Sequence, residues 1–247
     1  MLVRNRVRDS MAQMPRLAPG EAFCFDCHPG VSCLNACCAD TNIPLTPYDV
    51  VRLRERLEVG SDAFLERYAM VEANEDVGID MVHLHMAQGE AGLCPFASDR
   101  GCQVYPDRPS ACRTFPLGRA LRRAPDGRSA TEEYVLLDPP FCQGFSHTAP
   151  SFTATDYVTN QGLDIYHRFN DRYFALLVRW QAGGQARRTD AREQIFTALY
   201  RLDAFRALID EQQLLAKSGA PERLHDKILT DEPQRLWFAY KLLARLF

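Results

Sequence analysis

Between Cys24 and Cys38 the chain reads CFDCHPGVSCLNACC, five cysteines in fifteen residues with the last two adjacent. Four more stand at positions 94, 102, 112 and 142, and none follows. Thiols grouped in this way can form disulfides, act as redox or nucleophilic groups, or bind metal. A chain of 247 residues, 46% of them hydrophobic, can bury a core without covalent staples. Nine cysteines are also an odd number and too sparse for a disulfide scaffold. In a reducing compartment, clustered thiols are more often metal ligands or redox groups than bridges. The expected setting is therefore the cytoplasm, with metal as the leading chemistry.

The spacing narrows the choice of metal. Structural zinc sites draw ligand pairs from tight C-x2–4-C turns, with sulfur about 2.3 Å from the ion. Cys24-x2-Cys27 and Cys33-x3-Cys37 have that form, whereas the gaps between Cys94, Cys102, Cys112 and Cys142 are long. Thiolates sent to one centre from several loops suit an iron–sulfur cluster at least as well, and Cys94-Pro95 matches the Cys-Pro that ends bacterial ferredoxin motifs. An iron–sulfur cluster is thus preferred over a zinc or iron ion. In extended backbone, Cys37 and Cys38 would point to opposite sides and serve different centres or tasks. Cys24 is the one cysteine left over if two four-thiolate sites form.

Other side chains near the cysteines carry two readings each. Arg108, Arg113, Arg119, Arg122 and Arg123 could offset the −2 charge of a zinc–tetrathiolate site. For Arg108 and Arg113, set among prolines and cysteines, a structural role is expected. For the other three, a solvated face is an equal alternative. His83 and His85 alternate along an apparent strand, where packing or surface roles are expected over ligation. His28 and His147 flank cysteines and remain candidates with less support.

Composition excludes several classes. With 29 Lys and Arg against 32 Asp and Glu, net charge is −3, so nothing points to nucleic acid or an anionic membrane. No apolar run approaches the roughly 18 residues of a membrane span. The Arg-rich start lacks the apolar core of a secretory signal.

The elements that must position the thiols can be read in outline. Thr46, Pro47 and Asp49 predict a helix start, followed by Val50, Leu53 and Leu57 on one face. Gly60 is expected to end that helix and Ser61 to cap a second, carrying Phe64, Leu65, Tyr68 and Ala69. VGIDMVHLHM reads as a strand with Val77, Ile79 and Met81 on one face and Val82, Leu84 and Met86 on the other. GCQVY suggests a short strand, and residues 119–138 suggest two joined by a turn at Asp126-Gly127. From Thr153 the signal is helical. One stripe runs Ile165, Phe169, Tyr173, Leu176, Leu177 and Trp180, ending at Gly183-Gly184. A second runs Ile195, Leu199, Leu202, Phe205, Leu208 and Ile209, bent near Asp203, and a last carries Trp237, Tyr240, Leu243 and Phe247. These residues are expected to be core. The fold class is α+β: a small cysteine-rich metal-binding core of short helices and strands, packed against a C-terminal helical layer. The expected division is a flexible tail over 1–22, a cysteine-cluster domain over 23–150 and a helical region over 151–247.

FDCHPGVSCLNACC, IPLTPYDVVRLRERL, CPFASDRGCQVYPDRPSACRTFPLG and FCQGF, in this order, resemble the YkgJ family of cysteine-cluster proteins. The resemblance runs from about Phe25 to Phe145, and the blocks LTPYD, YPDRP and CRTFPLG make it specific. It implies a zinc- or iron-chelating domain whose ligands are Cys27, Cys33, Cys37, Cys38, Cys94, Cys102, Cys112 and Cys142; Cys24 has no counterpart. The five residues between Cys27 and Cys33 are more than the compact form of the motif has. The family also includes relatives of flagellin lysine N-methylases. QAGGQ, however, lies between predicted helices and is not a methyl-donor loop following a strand.

The leading expectation is a cytoplasmic metal-binding protein. The alternatives are a metal-dependent protein lysine N-methyltransferase and a zinc-stapled module whose helices bind a protein partner.

Overall fold

The structure, a computed structural model, describes residues 14–74, 78–87, 92–123, 130–182 and 189–246. The strands in chain order are β1 (Arg16–Leu17), β2 (Ala22–Cys24), β3 (Ala69–Glu72), β4 (Met81–Leu84), β5 (Ala97–Ser98), β6 (Gly101–Cys102), β7 (Leu117–Arg123), β8 (Ala130–Leu136) and β9 (Ser151–Thr153). The helices are α1 (Pro47–Leu57), α2 (Ser61–Tyr68), α3 (Ser110–Thr114), α4 (Ala154–Asn160), α5 (Leu163–Ala182), α6 (Thr189–Tyr200), α7 (Leu202–Glu211), α8 (Leu214–Ser218), α9 (His225–Thr230) and α10 (Glu232–Leu243). Helices with small antiparallel sheets make this an α+β protein, as expected. No described helix is long and apolar enough to cross a membrane.

The described residues form two compact units. One comprises those up to Thr41, then Gly92–Gln103 and Ser110–Asp164; the other comprises Asn42–Ala87, Val104–Pro109 and those from Ile165 onward. All nine cysteines belong to the first. There β7 and β8 pair antiparallel, with β1 on the other edge of β8. The two strands expected over 119–138 are therefore present, while the expected Asp126-Gly127 turn lies outside the described residues. β2 pairs with β9, and β5 with β6.

The second unit begins with the expected helix. Thr46 accepts from the Asp49 N–H, and the Asp49 carboxylate accepts from the Thr46 N–H, forming a capping box ahead of Pro47. Its end differs from the expectation: Glu58, in the left-handed region at φ 54°, is the C-cap, and Gly60 is the N-cap of α2. Gly60 has no side chain to cap with, and Ser61 is already helical, so the anion comes from elsewhere in sequence. Asp203 Oδ2 accepts from the Ser61 N–H at 2.7 Å and from Arg54 at 2.7 Å. A methyl group on Gly60 would lie 3.3 Å from that oxygen, so glycine leaves room for the approach. Arg54 is buried and also meets Glu232, so one guanidinium joins α1, α7 and α10.

Other boundaries shift for local reasons. Tyr68 ends α2, and Ala69 begins β3, whose partner is the strand expected around residue 82. Val82 and Leu84 face the core, and Leu45 and Ile43 hydrogen-bond the other edge of β4. Val77 lies outside the described residues. In α5, Ile165 is exposed and Tyr166 takes its expected place in the core, stacked edge-on against Tyr48. Gly183-Gly184 and Phe247 lie outside the described residues. The bend expected near Asp203 is a full break at Arg201, between α6 and α7.

Asp203→Ala should remove the cap of α2 and one partner of buried Arg54, destabilising the protein by about 1–2 kcal/mol. Burial acts to raise the Asp203 pKa, but the Ser61 N–H and Arg54 overcome it and hold the carboxyl low. Its stabilisation is therefore present above the unfolded carboxyl value of about 3.9 and is lost as pH falls through the lower folded value. Urea melts should show the variant deficit at pH 7 and a narrower gap at the acid limit. An equal deficit at every pH would contradict this assignment.

Candidate metal centre

The cysteine-bearing unit is organised around aromatic rings. Phe23, Phe25, Leu117 and Tyr157 are buried together, and Phe115, Cys142, Phe145 and Phe152 pack on them. Phe25 meets Phe145 at 5.1 Å and Phe115 at 5.8 Å between ring centroids. The Tyr157 hydroxyl donates to the Phe115 carbonyl at 2.6 Å. FCFDC and FCQGF are thereby held side by side, and the Asp26 N–H donates to the Gly144 carbonyl at 3.0 Å. Gly144 is required by this close approach: a Cβ there would lie 2.6 Å from the Phe25 ring and 3.0 Å from the Asp26 carbonyl.

Backbone hydrogen bonds then draw the distant cysteine segments together. The Cys94 N–H donates to the Cys38 carbonyl at 2.8 Å, and the Asp40 N–H to Gly92 at 3.3 Å. Between them Ala39 bridges Leu93 antiparallel. Asn35, left-handed at φ 66°, donates from its side chain to the Ser98 carbonyl at 2.7 Å. Pro95 follows Cys94 in a turn closed by the Ala97 N–H on the Cys94 carbonyl at 3.0 Å. At the other side, the Gln143 N–H donates to the Cys33 sulfur at 3.1 Å. Cys102 ends the β5–β6 hairpin opposite Ala97, and Cys112 sits in α3.

The adjacent pair departs from the expectation. Cys37 and Cys38 lie in a 310 turn, Ala36–Cys38, so their side chains are not on opposite sides of an extended strand. Instead the two thiols hydrogen-bond to each other, which lowers Cys37 against the effect of burial, to about 6. Cys38 is pushed far up by donating that bond, by burial, and by the charges of Cys37, Cys94 and Cys112. Burial raises Cys94, helped by Cys102 and Cys37 and opposed by the N–H groups of Phe96 and Ala97. Burial also raises Cys142, where the Gly144 N–H opposes and Cys33 and Cys37 add. Each of seven thiols, from Cys33 to Cys142, thus feels the charge of at least one other.

Cys27 is exposed, and Cys24 lies in β2 opposite Ser151. Among the described residues, no three His, Cys, Asp or Glu side chains already surround one metal position. The donor set nevertheless suits zinc or iron, because soft thiolates are their characteristic protein ligands. A cation would also relieve the burial and repulsion that raise Cys38, Cys94 and Cys142.

The arginines take other work. Arg119 and Arg122 pair across the sheet with Glu132 and Glu133, so the charged partners of these two are carboxylates. The Arg123 side chain lies outside the described residues. Arg113 donates to the Gln161 carbonyl at 2.7 Å, and Arg108 to the Tyr105 carbonyl while lying 3.8 Å over the Tyr105 ring, both structural roles as expected. The donors aimed at sulfur are backbone N–H groups of Phe96, Ala97, Gln143 and Gly144. Asn35 and Gly144 escaped the sequence reading, although Gly144 stands in CQGF between a cysteine and an aromatic ring. His83 packs beside Glu72 at 3.5 Å, and His85, His28 and His147 are exposed. His28 Nδ1 accepts from the Gly30 N–H. In the second unit, a cleft of about 130 Å³ lined by Leu224, Ile228, Trp237 and Phe238 falls well below the usual size of a small-molecule pocket.

Residues 26–143 match the family model CxxCxxCC, described as a putative zinc- or iron-chelating domain. That segment, just under half of the chain, is similar to this family. The chain's own gaps before the adjacent pair, five and three residues, are wider than the two and two in the family's name. No curated protein and no solved structure matches the chain significantly. The family it resembles is described as chelating zinc or iron, and the cysteines of this segment are the groups suited to that chemistry.

Gly144→Ala should force Phe25 and the Asp26 backbone away from residue 144, costing about 1–3 kcal/mol. Because the same contact holds Gln143 and Cys142 beside Cys33, metal uptake at a fixed free concentration should fall as well. Thermal melts with and without zinc test both effects. Unchanged stability and uptake would show that the close approach is dispensable.

Proposed function

We propose that the protein is a cytoplasmic metal carrier or redox protein holding a polynuclear centre, an iron–sulfur cluster in preference to single zinc or iron ions. Its ligands are drawn from Cys27, Cys33, Cys37, Cys38, Cys94, Cys102, Cys112 and Cys142. The observation that carries this reading is the gathering of cysteines from separate loops, with the Cys94 N–H on the Cys38 carbonyl and the Gln143 N–H on the Cys33 sulfur. A single tetrahedral ion takes four ligands, fewer than the thiols gathered here. A centre with more than one metal can use both adjacent sulfurs, and the long gaps between later cysteines suit it. The cluster or ion supplies electron-transfer or Lewis-acid capacity when bound. The chain supplies deprotonated sulfur and N–H donors that stabilise it.

Protein purified without oxygen should contain stoichiometric iron and acid-labile sulfide and absorb broadly in the visible. Zinc alone, after growth with ample iron and little zinc, would overturn the cluster; neither metal would overturn the reading itself. Serine at Cys33, Cys94, Cys102 or Cys112 should lower bound metal and the melting temperature, while Cys24→Ser should change neither, since metal-binding energy is also folding energy. Cys37→Ser and Cys38→Ser should each lose most of the metal. Loss of separate, additive fractions would instead indicate two independent centres.

A further inference from the structure

Among the thiols, Cys33 and Cys142 stand in a distinct relation. They are far apart in sequence, yet the Gln143 N–H reaches the Cys33 sulfur at 3.1 Å. That nitrogen is only two bonds from the Cys142 Cα, so the Cys33 sulfur lies against the start of the Cys142 side chain. The neighbouring Cys33 also adds to the effect of burial in raising Cys142. Neither is fully buried, so small oxidants can reach both. Their loops are held side by side by the Asp26–Gly144 hydrogen bond and the Phe25–Phe145 contact, independently of any metal.

We propose that Cys33 and Cys142 form a reversible oxidation site: in the metal-free protein a peroxide-class oxidant joins them as a disulfide and closes the centre to metal. The disulfide itself stands on the Gln143 contact that brings the Cys33 sulfur to the Cys142 backbone, and its effect on metal rests on the proposed metal-binding function. One thiol is oxidised by hydrogen peroxide to a sulfenic acid with release of water. The other attacks that sulfur, forming the S–S bond and releasing a second water. In sum, two thiols and one peroxide give one disulfide and two waters. The adjacent pair Cys37–Cys38 is the competing partner, but a bond between neighbours closes a tight ring through their own peptide, against the 310 turn seen there. Oxidation at Cys33 and Cys142 removes two sulfurs from the donor set and ties the first cysteine loop to FCQGF. Thiol reductants reverse it.

The test uses full-length protein stripped with a chelator under reductant, then exposed to equimolar hydrogen peroxide. Thiol titration should fall by two of the nine cysteines. Mass spectrometry of a non-reducing digest should find the peptides of Cys33 and Cys142 linked. Zinc and ferrous uptake should drop in the oxidised sample and return after reduction. Mapping the wild-type digest keeps the test valid even where Cys33→Ser or Cys142→Ser folds poorly. A dominant link between Cys37 and Cys38, or any other pair, would overturn the assignment, as would sulfinic acid without a disulfide. If reduced protein binds no metal while the Cys33–Cys142 link forms, the metal function fails and the oxidation site stands. If metal binds and no link forms, the reverse holds.

Discussion

Holding several thiols together before a cation arrives runs against two electrostatic costs. Burial disfavours the thiolate, and each neighbouring thiolate disfavours the next. The cysteine unit meets this with hydrogen-bonded backbone and packed aromatic rings rather than with opposite charge. Main-chain bonds from Cys94 to Cys38 and from Asp40 to Gly92 fix one side, and Asn35 fixes the hairpin beyond it. Because these bonds are neutral, they persist whatever the protonation state of the sulfurs. Backbone N–H groups aimed at Cys33, Cys94 and Cys142 stabilise negative sulfur without adding a mobile cation. Arg119 and Arg122 on β7 are occupied by Glu132 and Glu133 on β8, across the sheet.

The aromatic cluster supplies the other half of the constraint. Rings of Phe25, Phe115, Phe145 and Tyr157 bury apolar area between the first and last cysteine loops. Burial of this kind is proportional to area and needs no metal. The cysteine unit can therefore present its thiols in a near-assembled state, leaving side-chain closure to the metal. The second unit follows the same economy with a different core. Its buried Arg54 is shared by carboxylates from α7 and α10, and Asp203 supplies the cap that α2 lacks.

Legibility in the sequence followed the range of the interaction. The start of α1 was readable because Thr46, Pro47 and Asp49 act within one turn. So was most of the apolar face of α5, whose period reports burial directly; on α10 Tyr240 and Leu243 are buried as expected, but Trp237 is half-buried and Leu236, Phe238 and Ala239 fill the core. The cap from Asp203 was not readable, since nothing at Gly60 signals a partner 143 residues away. Ile165 failed because Tyr166, one position along, packs on Tyr48 better than an aliphatic chain at the helix edge. At the candidate site, the grouping of cysteines was plain, and so was the family it implies. The relation between Cys37 and Cys38 was misread because the extended geometry assumed for them is replaced by a 310 turn. The N–H donors to sulfur carry no side-chain signature at all, which is why arginines had seemed the natural counterions.

The central claim is that the adjacent thiols share one centre of more than one metal. X-ray absorption at the metal edge, on protein isolated without oxygen, tests it most directly. The account expects a first shell of sulfur and, beyond it, scattering from a second metal, both lost together in Cys38→Ser. A first shell of four sulfurs with no metal neighbour, unchanged in Cys38→Ser, would contradict it.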